Sequence, residues 1–186
     1  MRTAAGTSSR LTAMLAAVCL LATGCIGPSG EERMPAQRLE VHSQSFQKGG
    51  EIPRQYTCDG AGISPQLAWS GAPAETQAFA ILVTDPDARD YVHWVVTDIP
   101  AVATMIDEGS SGTDVGGTEG TNSGGGVGWT GPCPPSGTHR YVFSVYALDA
   151  TLGLSGAPDA AAVRSALQSH VLAEGQLSGR YGRASS

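Results

Sequence analysis

The sequence lacks most of the patterns by which an enzyme declares its chemistry. It has no GxSxG elbow to expose a serine nucleophile and no HxH or HExxH spacing to seat a metal ion. Its cations form no run: 11 lysines and arginines are spread through 186 residues, against 17 aspartates and glutamates, for a formal net charge of −6. An acidic chain without a basic cluster is a poor nucleic-acid binder, so any anion must be recognised locally, against the global field. Internal repeats are absent, which excludes solenoids and propellers. The length suits one domain with core enough to fold without extra staples.

Long hydrophobic runs are also missing. The apolar stretch 11-LTAMLAAVCLLA-22 has twelve residues, too short to span a bilayer comfortably. It follows Arg2 and Arg10 and ends in 21-LATGC-25, the order of a lipoprotein leader: positive, apolar, small residues, cysteine. Residues 1–24 are therefore expected to be a signal peptide, with Cys25 lipidated and the chain exported to the outer face of a bacterial cell membrane. Ala22 stands where leucine is commoner in such a motif. Residues 25–38, rich in glycine, proline and charge, read as a flexible tether, and 39–186 as a single domain. Loss of Arg2 and Arg10 takes the charge from −6 to −8. Cys19 leaves with the leader and Cys25 carries lipid, so Cys58 and Cys133 remain. An even pair in an oxidising compartment predicts one disulfide tying an early loop to a late one, against the alternative of two separate thiols.

What the sequence does contain is alternation. Residues 78-AFAILVTD-85 read as a strand with Phe79, Ile81, Val83 and Asp85 on one face. Residues 93–99 read as a second strand with His93, Val95, Thr97 and Ile99 together, and 139–149 as a third with His139, Tyr141, Phe143 and Val145 together. Weaker strands are expected at 39–46, 67–69 and 176–183. One helix is expected over 158–175, with Pro158 and Asp159 at its start and Gly175 beyond its end. Residues 100–138 show almost no periodicity, and the glycine-rich stretch 109–128 leaves its conformation open.

Three strand ends bring polar side chains that are able to meet: Asp85 and Asp87, then His93, then His139 and Tyr141. Singly each has a bland reading. Asp-Pro-Asp after a strand is usually a turn, and a lone histidine at a strand start is usually structural. Together they offer a metal site, an acid–base pair, or an anion or zwitterion site in which backbone N–H groups of 131-GPCPPSG-137 and the Tyr141 hydroxyl assist two imidazoles. In the last case the carboxylates orient the histidines and favour their charged form.

The ordered set YTCDG (56–60), SPQLAW (64–69), DPDA (85–88), HWVV (93–96) and GPCPPSGTHRYVFSVYALD (131–149) resembles the phosphatidylethanolamine-binding protein family, in its bacterial Raf-kinase-inhibitor-like branch, over about residues 39–183. The resemblance implies a mostly β fold: a large antiparallel sheet packed on a smaller one, with a C-terminal helix near the ligand pocket. It implies a pocket for phosphate-like anions and phosphoethanolamine head groups at Asp85, Asp87, His93, Gly131, Pro132, His139 and Tyr141. Since neither a nucleophile nor a metal has a clear signature, no catalysis and no cofactor are expected. Two departures stand out: Arg89 follows DPDA where the family usually has proline, and Trp129 stands in place of a usual tyrosine. The expected function is extracytoplasmic binding of a small phosphate-bearing or zwitterionic ligand, such as a phospholipid head group, by a protein held to the membrane through its lipid anchor. The alternatives are a module that regulates an envelope protein partner, and a hydrolase built on His93, His139 and Asp85.

Overall fold

The computed structural model describes residues 37–183. The expected leader, Cys25 and nearly all of the tether lie outside them. Nine strands and one helix follow in order: β1 Gln37–Arg38, β2 Glu40–His42, β3 Leu67–Ser70, β4 Ala78–Asp85, β5 Tyr91–Pro100, β6 Met105–Ile106, β7 Thr118–Glu119, β8 Gly137–Leu148, α1 Ala160–Leu167 and β9 Val171–Arg183. Six strands form a large sheet in the order β1-β9-β8-β4-β5-β7, and β2, β3 and β6 form a small one. The mostly β architecture of a large sheet on a smaller one is as expected. The large sheet is mixed, because its edge strand β1 runs parallel to β9.

The centre of the large sheet follows from composition. Strand β4 is almost wholly apolar and is buried on both faces, as a central strand must be. On the inner face Phe79, Ile81 and Val83 join Tyr141, Phe143 and Val145 of β8 and Leu67, Trp69 and Ile106 of the small sheet in one core. Trp69 and Phe79 make the inter-sheet contact, with ring centroids 5.3 Å apart. On the outer face Ala78, Ala80 and Leu82 pack with Val95 and Leu148 against Ala160, Val163 and Leu167 of α1.

Several sequence expectations shift. The strand expected over 39–46 is only Glu40–His42, preceded by the separate short strand Gln37–Arg38 of the other sheet, because the chain changes sheets at buried Leu39. The helix expected over 158–175 stops at Leu167. Asp159 caps it, accepting from the Ala162 N–H at 2.8 Å, and its buried residues repeat at helical spacing. Val171 would continue that spacing, but residues from Val171 onward pair with β8 over its whole length. Ladder pairing and burial override local propensity. Gly175, read as a helix stop, lies inside β9. A Cβ there would sit 2.3 Å from the Leu39 carbonyl oxygen, so its role is close approach of β2 to β9. Last, α1 packs on the outer face, whereas the inner face carries Asp85 and Tyr141, so the helix contributes nothing to the cleft described below.

A further shift concerns β5. Its register against β4 slips twice, between Phe79 and Ile81 and between Val83 and Thr84. Val83 pairs with Trp94 while Thr84 pairs with Val92, which leaves His93 as the extra residue of a bulge. The face expected to hold His93, Val95, Thr97 and Ile99 is therefore divided: Trp94, Val96 and Ile99 join the inner core, and Val92 and Val95 the outer one.

Cys58 and Cys133 form a disulfide with Cα atoms 5.4 Å apart. It closes a loop of 75 residues, for which chain entropy alone suggests a contribution on the order of 4 kcal/mol.

Candidate functional site: a cleft between two histidines

The site is built on the end of β4. The Asp85 side chain, 3% exposed, ends the strand and caps a 3-10 turn over Pro86–Ala88. Its Oδ1 accepts from the backbone N–H groups of Asp87 at 2.9 Å and Ala88 at 3.1 Å. Its Oδ2 accepts from His139 Nδ1–H at 2.7 Å. The turn then reverses through Arg89 and Asp90, both left-handed, with φ of 55° and 56°. A proline, fixed near φ −65°, cannot occupy the Arg89 position in this conformation.

His93 is held differently. Its Nδ1–H donates to the Thr130 carbonyl at 2.8 Å, because a carbonyl oxygen only accepts. The ring lies edge-on to Tyr141, with centroids 5.2 Å apart, and tilted against Tyr91 at 4.9 Å. For both histidines Nδ1 is taken by the protein and Nε2 has no hydrogen bond among the described residues. The two rings line one cleft of about 260 Å³, walled also by Asp85, Tyr91, Thr130 and Gly131, with Pro134 and Pro135 beyond.

Of the residues expected in the pocket, the structure brings Asp85, His93, Gly131 and His139 to the cleft lining. Asp87 turns away: its Oδ2 accepts from the Arg140 backbone N–H at 2.7 Å, tying the turn to β8. Pro132 is buried behind the wall, where its carbonyl accepts from the Cys58 N–H at 3.1 Å. Tyr141 is 1% exposed and stands behind His93. Its hydroxyl is buried with no hydrogen-bond partner. Burial, and then the Asp85 charge, push its pKa well above the usual tyrosine range. Gly131 has a definite reason to be glycine. A Cβ there would lie 2.8 Å from the Tyr56 carbonyl oxygen and 2.9 Å from the Thr57 Cα. Its bareness lets the wall press on the loop that the disulfide fastens.

Sequence reasoning missed Thr130 and Tyr91. The Thr130 contribution is a backbone carbonyl, which any residue supplies, so its identity held no signal. Its position is set by the glycine-rich segment that showed no periodicity. That segment is held by many backbone hydrogen bonds. The Gly120 N–H donates to the Val95 carbonyl, the Ser123 N–H to Val92 and the Thr130 N–H to His93, so the chain runs alongside β5. Buried Asn122 pins the loop between. Its Nδ2 donates to the Gly128 carbonyl at 3.0 Å, and its Oδ1 accepts from Gly124 at 2.9 Å and Gly126 at 3.2 Å. Glu119 accepts from Trp94 Nε1 at 2.9 Å and from the Gly112 N–H at 3.0 Å. Trp129, in the position of a usual tyrosine, stacks on Phe143 and meets Trp94 edge-on.

The expected rise in histidine pKa is reversed at His93. Burial, the largest influence, holds its pKa below the usual value. The Thr130 carbonyl and the Asp85 charge oppose this, and the neighbouring His139 adds to it. At neutral pH His93 is thus an uncharged ring whose Nδ1 carries the proton and whose Nε2 presents a lone pair to the cleft.

A small cleft set between two imidazoles, one fixed by a buried carboxylate and one by a carbonyl, has the concave form of a small-molecule site. The sequence model of the phosphatidylethanolamine-binding protein family matches residues 42–182. A protein of Methanothermobacter thermautotrophicus, described only as a UPF0098 protein, is 41% identical over 150 residues, covering 78% of this chain and 99% of that one. A UPF0098 protein of Aquifex aeolicus is 40% identical over 152 residues, covering 78% and 89%. Among solved structures, a phosphatidylethanolamine-binding protein homologue from Chlamydia trachomatis superposes with a TM-score of 0.74 at 33% identity, covering 78% of this chain and 98% of its own. Escherichia coli YbcL, titled a new member of the mammalian PEBP family, gives 0.73 at 30%, covering 80% and 99%. The chain belongs to the phosphatidylethanolamine-binding protein family.

The depressed His93 pKa has a consequence for stability. Unfolding releases the ring to its ordinary pKa near 6.5, so below that pH the unfolded chain binds a proton that the folded chain does not. Stability should therefore fall as pH drops through about 6.5, until the folded ring also protonates. Urea titrations across this range should show wild type losing more stability on acidification than His93→Gln. An equal loss in the two proteins would mean that His93 is not held neutral by the fold.

Proposed function

We propose that the protein is a non-enzymatic binding protein for a small phosphate-bearing or zwitterionic ligand, of the size of phosphoethanolamine. The observation that carries this reading is the pair of unpartnered Nε2 atoms on His93 and His139, in a cleft whose one carboxylate, Asp85, is already committed to its turn and to His139. A volume of about 260 Å³ lies just below the ~300–1,000 Å³ of ordinary small-molecule pockets, which suits a head group better than a whole lipid. An anionic oxygen placed between the rings favours their charged form. The ligand therefore brings a proton to His93, or shares its own with Nε2. The Asp85 carboxylate opposes the anion by charge, but it fixes the His139 Nδ1–H and so aims Nε2 outward; it is also a counter-charge for an ammonium end. The sulfur at the cleft wall belongs to a disulfide and is no nucleophile.

The same reading places the protein outside the cytoplasm, anchored by lipid on Cys25 to the outer face of the cell membrane. It rests on the order of residues 1–25. No helix of the described residues is long and apolar enough to cross a membrane. A Cys25→Ser chain should be lost from the washed membrane fraction as a cleaved, lipidated product. Its recovery there in processed form would remove the anchor from the account.

Calorimetric titration of phosphoethanolamine tests the ligand. Affinity should rise as pH falls through His93's depressed range, opposite in position to a switch above 6.5. Heats measured in two buffers of different ionisation enthalpy should show net proton uptake. His93→Ala and His139→Ala should each lose a charge-assisted hydrogen bond worth about 1.5–3 kcal/mol, tenfold or more in affinity. Unchanged affinity in folded variants would place the ligand elsewhere.

A further inference from the structure

The sequence scatters its cations, but the fold gathers them. Residues 37–183 contain eight lysines and arginines. Six of them line three hollows at the outer side and the β8–β9 end of the large sheet; setting aside Arg183, which pairs with Asp59, these are Arg38, Lys48, Arg140, Arg164 and Arg180. One, of about 510 Å³, holds Arg38, Lys48 and Arg140. The next shares Arg140, Val142 and Gln176 with it and adds Arg164 from α1. All five are exposed, and none forms an ion pair among the described residues, where the arginine ion pair is Arg183 with Asp59. Carboxylates are near: Glu174 and Glu51 line the hollows, and Asp87 accepts the Arg140 backbone N–H. They leave an excess of positive charge on one face of a chain whose net charge is −6.

The arrangement carries a cost. Arg140 on β8 and Arg180 on β9 are direct cross-strand partners, so two like charges leave the same face side by side, a destabilising placement. Arg140 directly follows His139, yet it lies on the opposite face of β8, so this face is separate from the cleft. The cations spread over β1, the loop before β3, β8, β9 and α1 instead of converging on one point. That spread matches an array of phosphates on a plane rather than one bound anion.

We propose that this face docks on the anionic phospholipid surface of a membrane. Charge complementarity supports it, and so does the place of Arg38 beside the expected tether. Arg38 belongs to the patch, and the cysteine expected to carry lipid lies twelve residues before Gln37, a reach of at most about 40 Å. A domain tethered so closely presents its basic face to the lipid, and the patch sets its orientation. The proposal does not depend on the ligand of the cleft.

Unlipidated residues 26–186 suit the test. The relative from Methanothermobacter thermautotrophicus is matched over 99% of its length by 150 residues of this chain, so the domain exists as a whole protein. In vesicle flotation, wild type should bind mixed phosphatidylglycerol–phosphatidylcholine vesicles, not phosphatidylcholine alone, and should release as salt rises. Each charge removed should weaken binding about fivefold, so Arg140→Gln/Arg180→Gln should lose about 25-fold. Arg89→Gln, on the turn after β4, should bind as wild type, and His93→Ala should also bind, which separates this surface from the cleft. Removing the like-charge pair should leave the melting temperature unchanged or higher. Should that double variant unfold, Arg38→Gln/Lys48→Gln, away from the strand pair, gives the same readout. The proposal is overturned by wild type that ignores phosphatidylglycerol, by either double variant binding as tightly as wild type, or by Arg89→Gln losing as much per charge.

Discussion

The Asp85 carboxylate is the group on which the site depends. It is almost fully buried, and a buried charge is tolerable only when its oxygens are satisfied. Here one oxygen takes two backbone N–H groups of its own turn and the other takes the His139 imidazole. One side chain therefore ends β4, shapes the reversal into β5 and fixes a ring on β8. Replacing it by an apolar residue would leave three donors without a partner. Asp87 completes the arrangement from outside, holding the same turn to β8 through the Arg140 N–H. The two aspartates of DPDA thus divide the work: one faces the cleft, the other locks the turn that presents it.

The second histidine obeys a different constraint. A bulge in β5 moves His93 onto the inner side, beside Tyr141, and the Thr130 carbonyl, just after the glycine-rich segment, fixes its tautomer. Burial keeps the ring uncharged. The cleft therefore combines two rings of similar geometry and unlike electrostatics, one against a carboxylate and one against a neutral carbonyl. Such a pair can take an anion together with a proton, in a protein whose overall charge is negative. Of the eight cations among the described residues, five lie away from the cleft, at the outer side of the sheet.

Much of the fold was legible because the large sheet follows the period of two. Phe79, Ile81, Val83 and Asp85, and His139, Tyr141, Phe143 and Val145, share the faces that their spacing indicates. The convergence of Asp85, His93 and His139 was legible for the same reason, although the alternation in β5 was misread. A bulge has no signature in a strand of valines, and only the register against β4 reveals it. The glycine-rich stretch from Gly109 to Gly128 was illegible because its order comes from backbone hydrogen bonds to β5 and from one buried asparagine, none of which has a period. The helix was drawn too long because Leu167 and Val171 continue a helical spacing, and only pairing with β8 ends it. The basic face was illegible for a related reason: Arg38, Lys48, Arg140, Arg164 and Arg180 are far apart in the chain and meet only through strand order.

The claim that joins fold to function is that the cleft holds His93 neutral, with its proton on Nδ1, until an anion arrives. Imidazole nitrogen and carbon chemical shifts of selectively labelled histidine, recorded with and without phosphoethanolamine at a pH just above 6.5, measure this directly. The account predicts a neutral Nδ1–H ring at His93 in the free protein, shifting toward the imidazolium as ligand is added. A ring already charged without ligand, or one whose protonation ignores a ligand that binds, would contradict it.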